Sequence, residues 1–292
     1  MLSLIICSRD PEALRQVSNN VAVTIGVAYE IIAIDNSAGQ YGICEAYNLG
    51  AKQAQYELLC FMHEDIRFHT SNWGLIVARL LKDESIGVLG VTGGQHQVAA
   101  PAPWWGCGLE LCRENVLNVF EDGTRVMELR NPEQVPLTDV AVVDGMWMCC
   151  RRSLWEQFPF DSKTFVDFHF YDIDFCTEIF HQGKRICVTY EITLEHHSRG
   201  SINASWVHNA LLYQEKRNNQ LPFGVISLKK VQSVNIELKA YQAFVSLLMR
   251  EKFSNAIIYK YLKMCWSKYY LHRDTLWLTK EWLKNNMLSF VS

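Results

Sequence analysis

No stretch of this sequence approaches the roughly 18 to 20 uncharged apolar residues that a membrane-spanning helix needs, so a bilayer crossing is not expected. The opening run Leu2-Ser3-Leu4-Ile5-Ile6 is too short for a signal-peptide core and meets Arg9, Asp10 and Glu12 at once, without a small-residue cleavage site. Export is not indicated, and the expected location is cytoplasmic. The ten cysteines include no Cys-x-x-Cys pair, and several lie in apolar runs such as Met146 to Cys150, the pattern of reduced, mostly buried thiols. A Gly-x-Gly-x-x-Gly pattern is missing after the first apolar run, which argues against a Rossmann dehydrogenase. Nor is Ser8-Arg9-Asp10-Pro11 the glycine-rich, basic phosphate loop expected of a nucleotidyltransferase. Internal repeats and low-complexity segments are also lacking.

What the chain does have is enough apolar material, 49% of 292 residues, to bury a full core. Its net charge of −3 conceals an asymmetry: residues 239–292 carry +6 and residues 1–238 carry −9. An acidic body, with the basic residues of the tail interspersed among aromatics, gives little support to nucleic-acid binding. The basic tail is consistent with a helix solvated or packed on the acidic body, or with peripheral contact on the anionic inner face of a membrane.

The first third alternates short apolar runs with helical patterns. Apolar runs at Leu2 to Cys7, Glu30 to Ile34, Glu57 to Met62 and Gly87 to Val91 are separated by helical patterns from Pro11, near Ile43 to Gln55 and near Trp73 to Leu81. This βαβ rhythm predicts a largely parallel sheet covered on both faces. Asp10-Pro11-Glu12 marks the first helix start with an N-cap, a proline at the first helical position and an early acid. Residues 93–139 lose the rhythm and are expected to form a long irregular excursion over the site. Order returns with Val140 to Val143, Met146 to Cys150, a helix from about Asp172 to Gln182 closed by Gly183, and a strand from Arg185 to Tyr190. After Leu221-Pro222-Phe223-Gly224 the pattern is helical through Val291, which predicts a body of 1–222 and a basic helical extension of 223–292.

Ligands of a parallel α/β sheet bind beyond the C-terminal strand ends. Those ends carry Ser8 and Arg9, then Asp35 and Asn36, then His63, Glu64 and Asp65, a mainly acidic edge. Ile31-Ile32-Ala33-Ile34-Asp35-Asn36-Ser37, Ala46-Tyr47-Asn48-Leu49-Gly50 and Leu59-Cys60-Phe61-Met62-His63-Glu64-Asp65 resemble, in motif and spacing, family 2 glycosyltransferases. That resemblance implies a GT-A fold, the α/β fold of nucleotide-diphospho-sugar transferases. It also implies that Asp35 contacts the nucleotide base and that Asp65 holds a divalent cation, Mn²⁺ or Mg²⁺, on the donor diphosphate. Ser8, Arg9 and Asn36 would surround the nucleotide, and Glu64 would contact donor ribose or sugar. The family's usual Asp-x-Asp reads His63-Glu64-Asp65 here, a variant similar to the subgroup related to a streptomycin-biosynthesis glycosyltransferase domain.

A second match lies in Val143-Asp144-Gly145-Met146-Trp147 and Phe168-His169-Phe170-Tyr171-Asp172-Ile173-Asp174-Phe175-Cys176. In register with the family, Asp172 takes the place of the catalytic base, Tyr171 replaces the usual glutamate, and Asp144, Gly145 and Trp147 belong to the acceptor or sugar pocket. Residues two apart on a helix point about 200° from each other, so only one of Asp172 and Asp174 readily faces a substrate. Asp174 is expected to complement the helix dipole. A third match, Leu194-Glu195-His196-His197-Ser198-Arg199-Gly200, resembles the family's late His-x-Ser-x-Gly segment and implies His196 as a further metal ligand, with His197 as the alternative. Trp104, Trp105 and Trp147 are candidates for stacking on sugar faces, beside the commoner reading of tryptophan buried in a core.

The expected activity is therefore inverting, metal-assisted transfer of a sugar from a nucleotide-sugar donor to a hydroxyl on a glycan or lipid-linked acceptor, in glycan or polysaccharide synthesis. The alternative is a catalytically silent nucleotide-sugar or glycan-binding protein on the same fold.

Overall fold

The computed structural model describes residues 1–197, 202–269 and 272–288. The first part of the chain forms β1 (Leu2–Ser8), α1 (Pro11–Thr24), β2 (Tyr29–Asp35), α2 (Ile43–Gln53), β3 (Leu58–Met62), β4 (Ile66–Phe68), α3 (Trp73–Leu80) and β5 (Ile86–Gly90). Then come β6 (Thr92–Gly94), β7 (His96–Gln97), two 3-10 turns at Trp104–Cys107 and Leu109–Leu111, β8 (Cys112–Val119), β9 (Arg125–Arg130), β10 (Leu137–Val140), β11 (Val142–Val143) and β12 (Trp147–Arg151). The remainder is α4 (Arg152–Gln157), α5 (Tyr171–His181), β13 (Arg185–Thr189), β14 (Leu194–His196), α6 (Ala204–Arg217), β15 (Phe223–Gly224), α7 (Lys230–Arg250), α8 (Asn255–Lys268) and α9 (Arg273–Leu288).

The main sheet has seven strands in the order β10-β13-β5-β12-β3-β1-β2. Five of them run the same way, while β12 and β10 are reversed. Strand β1, next to the edge strand β2, is an almost unbroken apolar run because helices cover both faces. The register pairs Ser8 with Asp35 and Ile6 with Met62, so β1, β2 and β3 all discharge their polar residues at one edge. Helix α1 starts where the local chemistry dictates: the Asp10 carboxylate accepts from the Glu12 N–H at 2.8 Å, and Pro11 sits where no intrahelical donor is needed.

Residues 93–139 are not irregular. They supply three of the six strands, β6, β8 and β9, of a second sheet with the order β11-β6-β8-β14-β4 and β9 paired to β8. Charge had hidden it: within β8, Arg113 and Glu114 are buried, each ion-paired, Arg113 with Glu133 and Glu114 with Arg130 at 2.7 Å. This sheet also carries the late histidine to the site, because β14 runs antiparallel to β4 with His196 opposite Ile66.

The apolar core is continuous across residue 222. Tyr241, Phe244 and Leu248 of α7 share one cluster with Trp104, Tyr171 and Val188. Each fully buried large apolar side chain of this kind contributes about 1.5–3 kcal/mol. Polar contacts fix the same helix, since the buried Glu237 carboxylate accepts from the Ala99 N–H at 2.8 Å and the Ala100 N–H at 3.3 Å. The predicted end of the helical pattern, 289–291, lies outside the described residues. Among the described residues no helix is long and apolar enough to cross a membrane.

Candidate active site

At the polar edge of the main sheet, His63, Asp65 and His196 form a group whose ligand atoms lie within 4.8 Å of one another. Asp65 Oδ1 is 3.7 Å from His196 Nε2 and 3.8 Å from His63 Nδ1, too far for a hydrogen bond. Both Asp65 Oδ1 and His196 Nε2 are buried without a hydrogen-bond partner. Buried polar atoms are normally satisfied, so two unsatisfied ones facing each other fit a cation ligand set. His63 completes it: burial lowers the pKa of its imidazole, outweighing the opposite pull of Asp65, which keeps the ring neutral. Its Nε2 lies 2.8 Å from the Tyr171 hydroxyl, which leaves Nδ1 free to face Asp65. Sequence reasoning had passed over His63 as a lost aspartate, although its place at the end of β3 was the available signal.

Asp172 is the second residue of α5. The residue before the helix, Phe170, adopts a left-handed conformation at φ 67°, costly for a bulky side chain. Packing holds it there, with its ring 5.0 Å from Trp206 and 5.3 Å from Tyr213. The turn aims Asp172 back toward β12, where its carboxylate accepts from the Gly145 N–H at 3.0 Å and the Ile173 N–H at 2.9 Å. Only glycine fits at position 145, because a Cβ there would collide with the Tyr171 ring. Burial, and then the neighbouring Asp144 charge, push Asp172 up to about 7. Asp144 is itself held, accepting from Trp104 Nε1 at 2.7 Å and the Met146 N–H at 2.8 Å. A carboxylate poised near neutrality, facing a pocket, is suited to proton abstraction.

On the other side of His63 the β1–α1 turn is fastened by Glu64. Its carboxylate accepts from Ser8 Oγ at 2.7 Å and from the Arg9 and Asp10 N–H groups at 2.9 and 3.1 Å. Glu64 thus shapes the wall with its hydrogen-bonding capacity largely engaged. Asn36 is buried and clamps its own turn, donating to the Tyr41 carbonyl and accepting from the Tyr41 N–H, both at 2.9 Å. Asp35 is exposed; the Ser37 N–H on its carboxylate lowers its pKa.

Two cavities meet at His63 and Phe168. One, of about 290 Å³, is lined by Arg9, Asn36, Glu64 and Asp65. The other, of about 130 Å³, is lined by Trp104, Trp105, Asp144, Gly145, Asp172 and His196. Of the expected donor residues, Arg9, Asn36 and Glu64 line the first cavity while Ser8 and Asp35 do not; of the expected acceptor-side residues, Asp144, Gly145 and Asp172 line the second.

Trp147 is not among them. Fully buried, it packs edge-on against Phe68 and Trp73 and has no face to offer a sugar. Asp174 is also buried, bonded to Arg217 at 2.6 Å and Lys216 at 2.8 Å, so it ties α5 to α6. His197 turns away to Glu195 Oε1 at 2.6 Å. Ser198, Arg199 and Gly200 of the late motif lie outside the described residues.

Residues 3–220 match a family model described as "Glycosyltransferase like family", and the chain belongs to that family. Similar solved structures include GalNAc-T7 with UDP, GalNAc and Mn²⁺, at 11% identity and a TM-score of 0.51, covering 73% of this chain and 48% of that one. The chain thus spans about half the length of that relative. The mannosyltransferase PcManGT from Pyrobaculum calidifontis, in complex with GDP-Man and Mn²⁺, is 11% identical with a TM-score of 0.51, over 95% of this chain and 83% of that one. S. aureus TarS, residues 1–349, is 14% identical with a TM-score of 0.50, over 84% and 72%. At these identities the likeness shows the fold, which is GT-A. No curated protein matches the chain at a significant level.

Proposed function

We propose that this glycosyltransferase moves a sugar, with inversion, from a nucleotide-diphosphate sugar to an acceptor hydroxyl. The observation that carries the reading is the pair of buried, unpartnered atoms Asp65 Oδ1 and His196 Nε2 at the mouth shared by two cavities, with Asp172 in the second. His63, Asp65 and His196 would hold a divalent cation, whose charge would stabilise the departing diphosphate. Two imidazoles and one carboxylate are a softer set than the oxygen shell Mg²⁺ prefers, which favours Mn²⁺. The solved structures with UDP or GDP-Man and Mn²⁺ support the same kind of donor and ion.

The nucleotide occupies the cavity beside Arg9 and Asn36, with Asp35 at its outer rim. The acceptor enters beside Trp104 and Trp105. Asp172 takes the proton of the acceptor hydroxyl as its oxygen bonds to the anomeric carbon, and the bond from that carbon to the diphosphate breaks on the opposite face. Nucleoside diphosphate and the inverted glycoside are the products. Tyr171 positions His63, and Glu64 positions the β1–α1 turn.

The variant His63-Glu64-Asp65 motif is consistent with the streptomycin-biosynthesis-type subgroup. We place the protein in the cytoplasm. The exposed Lys260, Lys263, Lys268, Lys280 and Lys284, with the half-exposed Trp277, would form a peripheral contact to an anionic inner membrane face. Incubation with a panel of nucleotide sugars, Mn²⁺ and glycosyl acceptors tests the reading. Nucleoside diphosphate release with an inverted product by NMR is expected; retention of configuration, or no turnover with any donor, overturns it.

A further inference from the structure

A cavity of about 820 Å³ lies between α7 and the turn at 101–110, well within the size range of ligand sites. Its floor is the face of α7 on which Ile236, Ala240, Phe244 and Leu247 recur at three- and four-residue spacing, all of them buried. The small side chains of Ala240 and Ala243 leave the groove its depth. The groove does not end blindly. Pro103, Trp105, Ile202 and Trp206 line both it and the pocket that holds Asp172.

That continuity decides which substrate the groove serves. The nucleotide side of the site opens past Arg9 and Asn36, on the far side of His63, and shares none of these walls. An occupant of the groove therefore reaches Asp172 from the acceptor side. The rim chemistry then narrows the occupant. Lys229, Lys239 and Arg250 stand against the single acid Glu110. Neither lysine is ion-paired among the described residues. Arg250 is partly engaged, bonding Glu251 at 2.9 Å and the carbonyl of the shared wall residue Ile202 at 2.5 Å. An apolar floor under an uncompensated cationic rim matches a molecule with a hydrocarbon chain and an anionic group at one end of it.

We propose that this groove is the aglycone subsite of the acceptor and takes a lipid-linked phosphate, with the chain along α7, the phosphate at Lys239, and a hydroxyl of the group that the phosphate carries beside Asp172. The proposal rests on the transferase reading above and names the class of its acceptor.

Dodecyl phosphate below its micelle concentration is the probe, measured by calorimetry on the full chain beside dodecyl maltoside and inorganic phosphate. Ala243→Trp fills the groove from an exposed position on α7, and Lys239→Glu reverses the rim charge. Each is expected to weaken dodecyl phosphate at least tenfold, whereas Lys239→Arg retains affinity, and inorganic phosphate does not compete. Thermal unfolding close to wild type establishes that the variants are folded. Unchanged affinity in both loss variants, or dodecyl maltoside binding as tightly as dodecyl phosphate, would overturn the proposal. So would concentration-dependent self-association that buries the groove. Donor turnover by the wild type with the acceptor panel, measured separately, decides the transferase reading: amphiphile binding without donor turnover sinks that reading and with it the acceptor role of the groove, and donor turnover without amphiphile binding sinks only the subsite.

Discussion

Replacing Asp172 by Asn removes the proposed base while nearly preserving its shape. The carboxylate accepts two backbone N–H bonds, from Gly145 and Ile173, and an asparagine keeps one of them through its amide oxygen. The structural cost of the change is thus about one neutral hydrogen bond, near 1 kcal/mol. The chemical cost is larger, since a positioned general base contributes about a hundred- to ten-thousand-fold in rate. Wild-type turnover is expected to rise as pH increases through about 7, where Asp172 loses its proton, and the residual turnover of the variant to lack that limb. Stability runs the other way. Because burial and Asp144 raise the folded-state pKa above the ordinary 3.8, the contribution of this group is intact at low pH and is lost as pH rises through about 7. The melting temperature of metal-free Asp172→Asn should therefore gain on wild type between pH 4 and 8. Steady-state assays from pH 5 to 9 and melting curves over pH 4 to 8 provide both readouts. Near-normal transfer by the variant, or a wild-type rate independent of pH, would refute the assignment.

Other consequences follow from the same geometry. Tyr171→Phe deletes the partner of His63 Nε2 and should weaken Mn²⁺ binding about 10- to 100-fold, as loss of an outer-shell partner typically does, read by metal titration. Glu64→Ala unfastens Ser8 and the Arg9 and Asp10 amides, so KM for the donor should rise while the pH profile of kcat stays fixed. Asp174→Asn leaves the buried Arg217 guanidinium with Glu178 as its one remaining carboxylate, and should lower stability in denaturant unfolding by less than the roughly 3–5 kcal/mol that an unpaired buried charge costs, leaving the pH dependence of any remaining activity unmoved.

The sequence made the first three strand ends legible because alternation of short apolar runs with helical patterns fixes a parallel sheet, and a parallel sheet fixes which ends face a ligand. That Asp172 rather than Asp174 lines a pocket was legible through the motif and helical geometry; the ion pair of Asp174 with Arg217 supplies the physical reason, one that no local pattern could contain. Two things were not legible. Strand β8 reads as polar because Arg113 and Glu114 find partners on distant segments, so its burial depends on tertiary pairing rather than on hydrophobic period. His63 reads as a departure from an acidic motif, and only the antiparallel approach of β14 to β4, which brings His196 beside Asp65, shows that the histidine joins a group that could hold a metal ion. Trp147 illustrates the opposite error: its neighbours Asp144 and Gly145 line the pocket, but strand alternation turns its ring into the core.

Calorimetric titration of a turned-over nucleotide sugar into wild type and Asp65→Ala, each with Mn²⁺ and with chelator, addresses the central claim most directly. Donor binding that requires one Mn²⁺ per chain and is lost in both chelator and Asp65→Ala is the expected result. Equal affinity in chelator would contradict it, and would require Lys or Arg, rather than His63, Asp65 and His196, to answer the charge of the diphosphate.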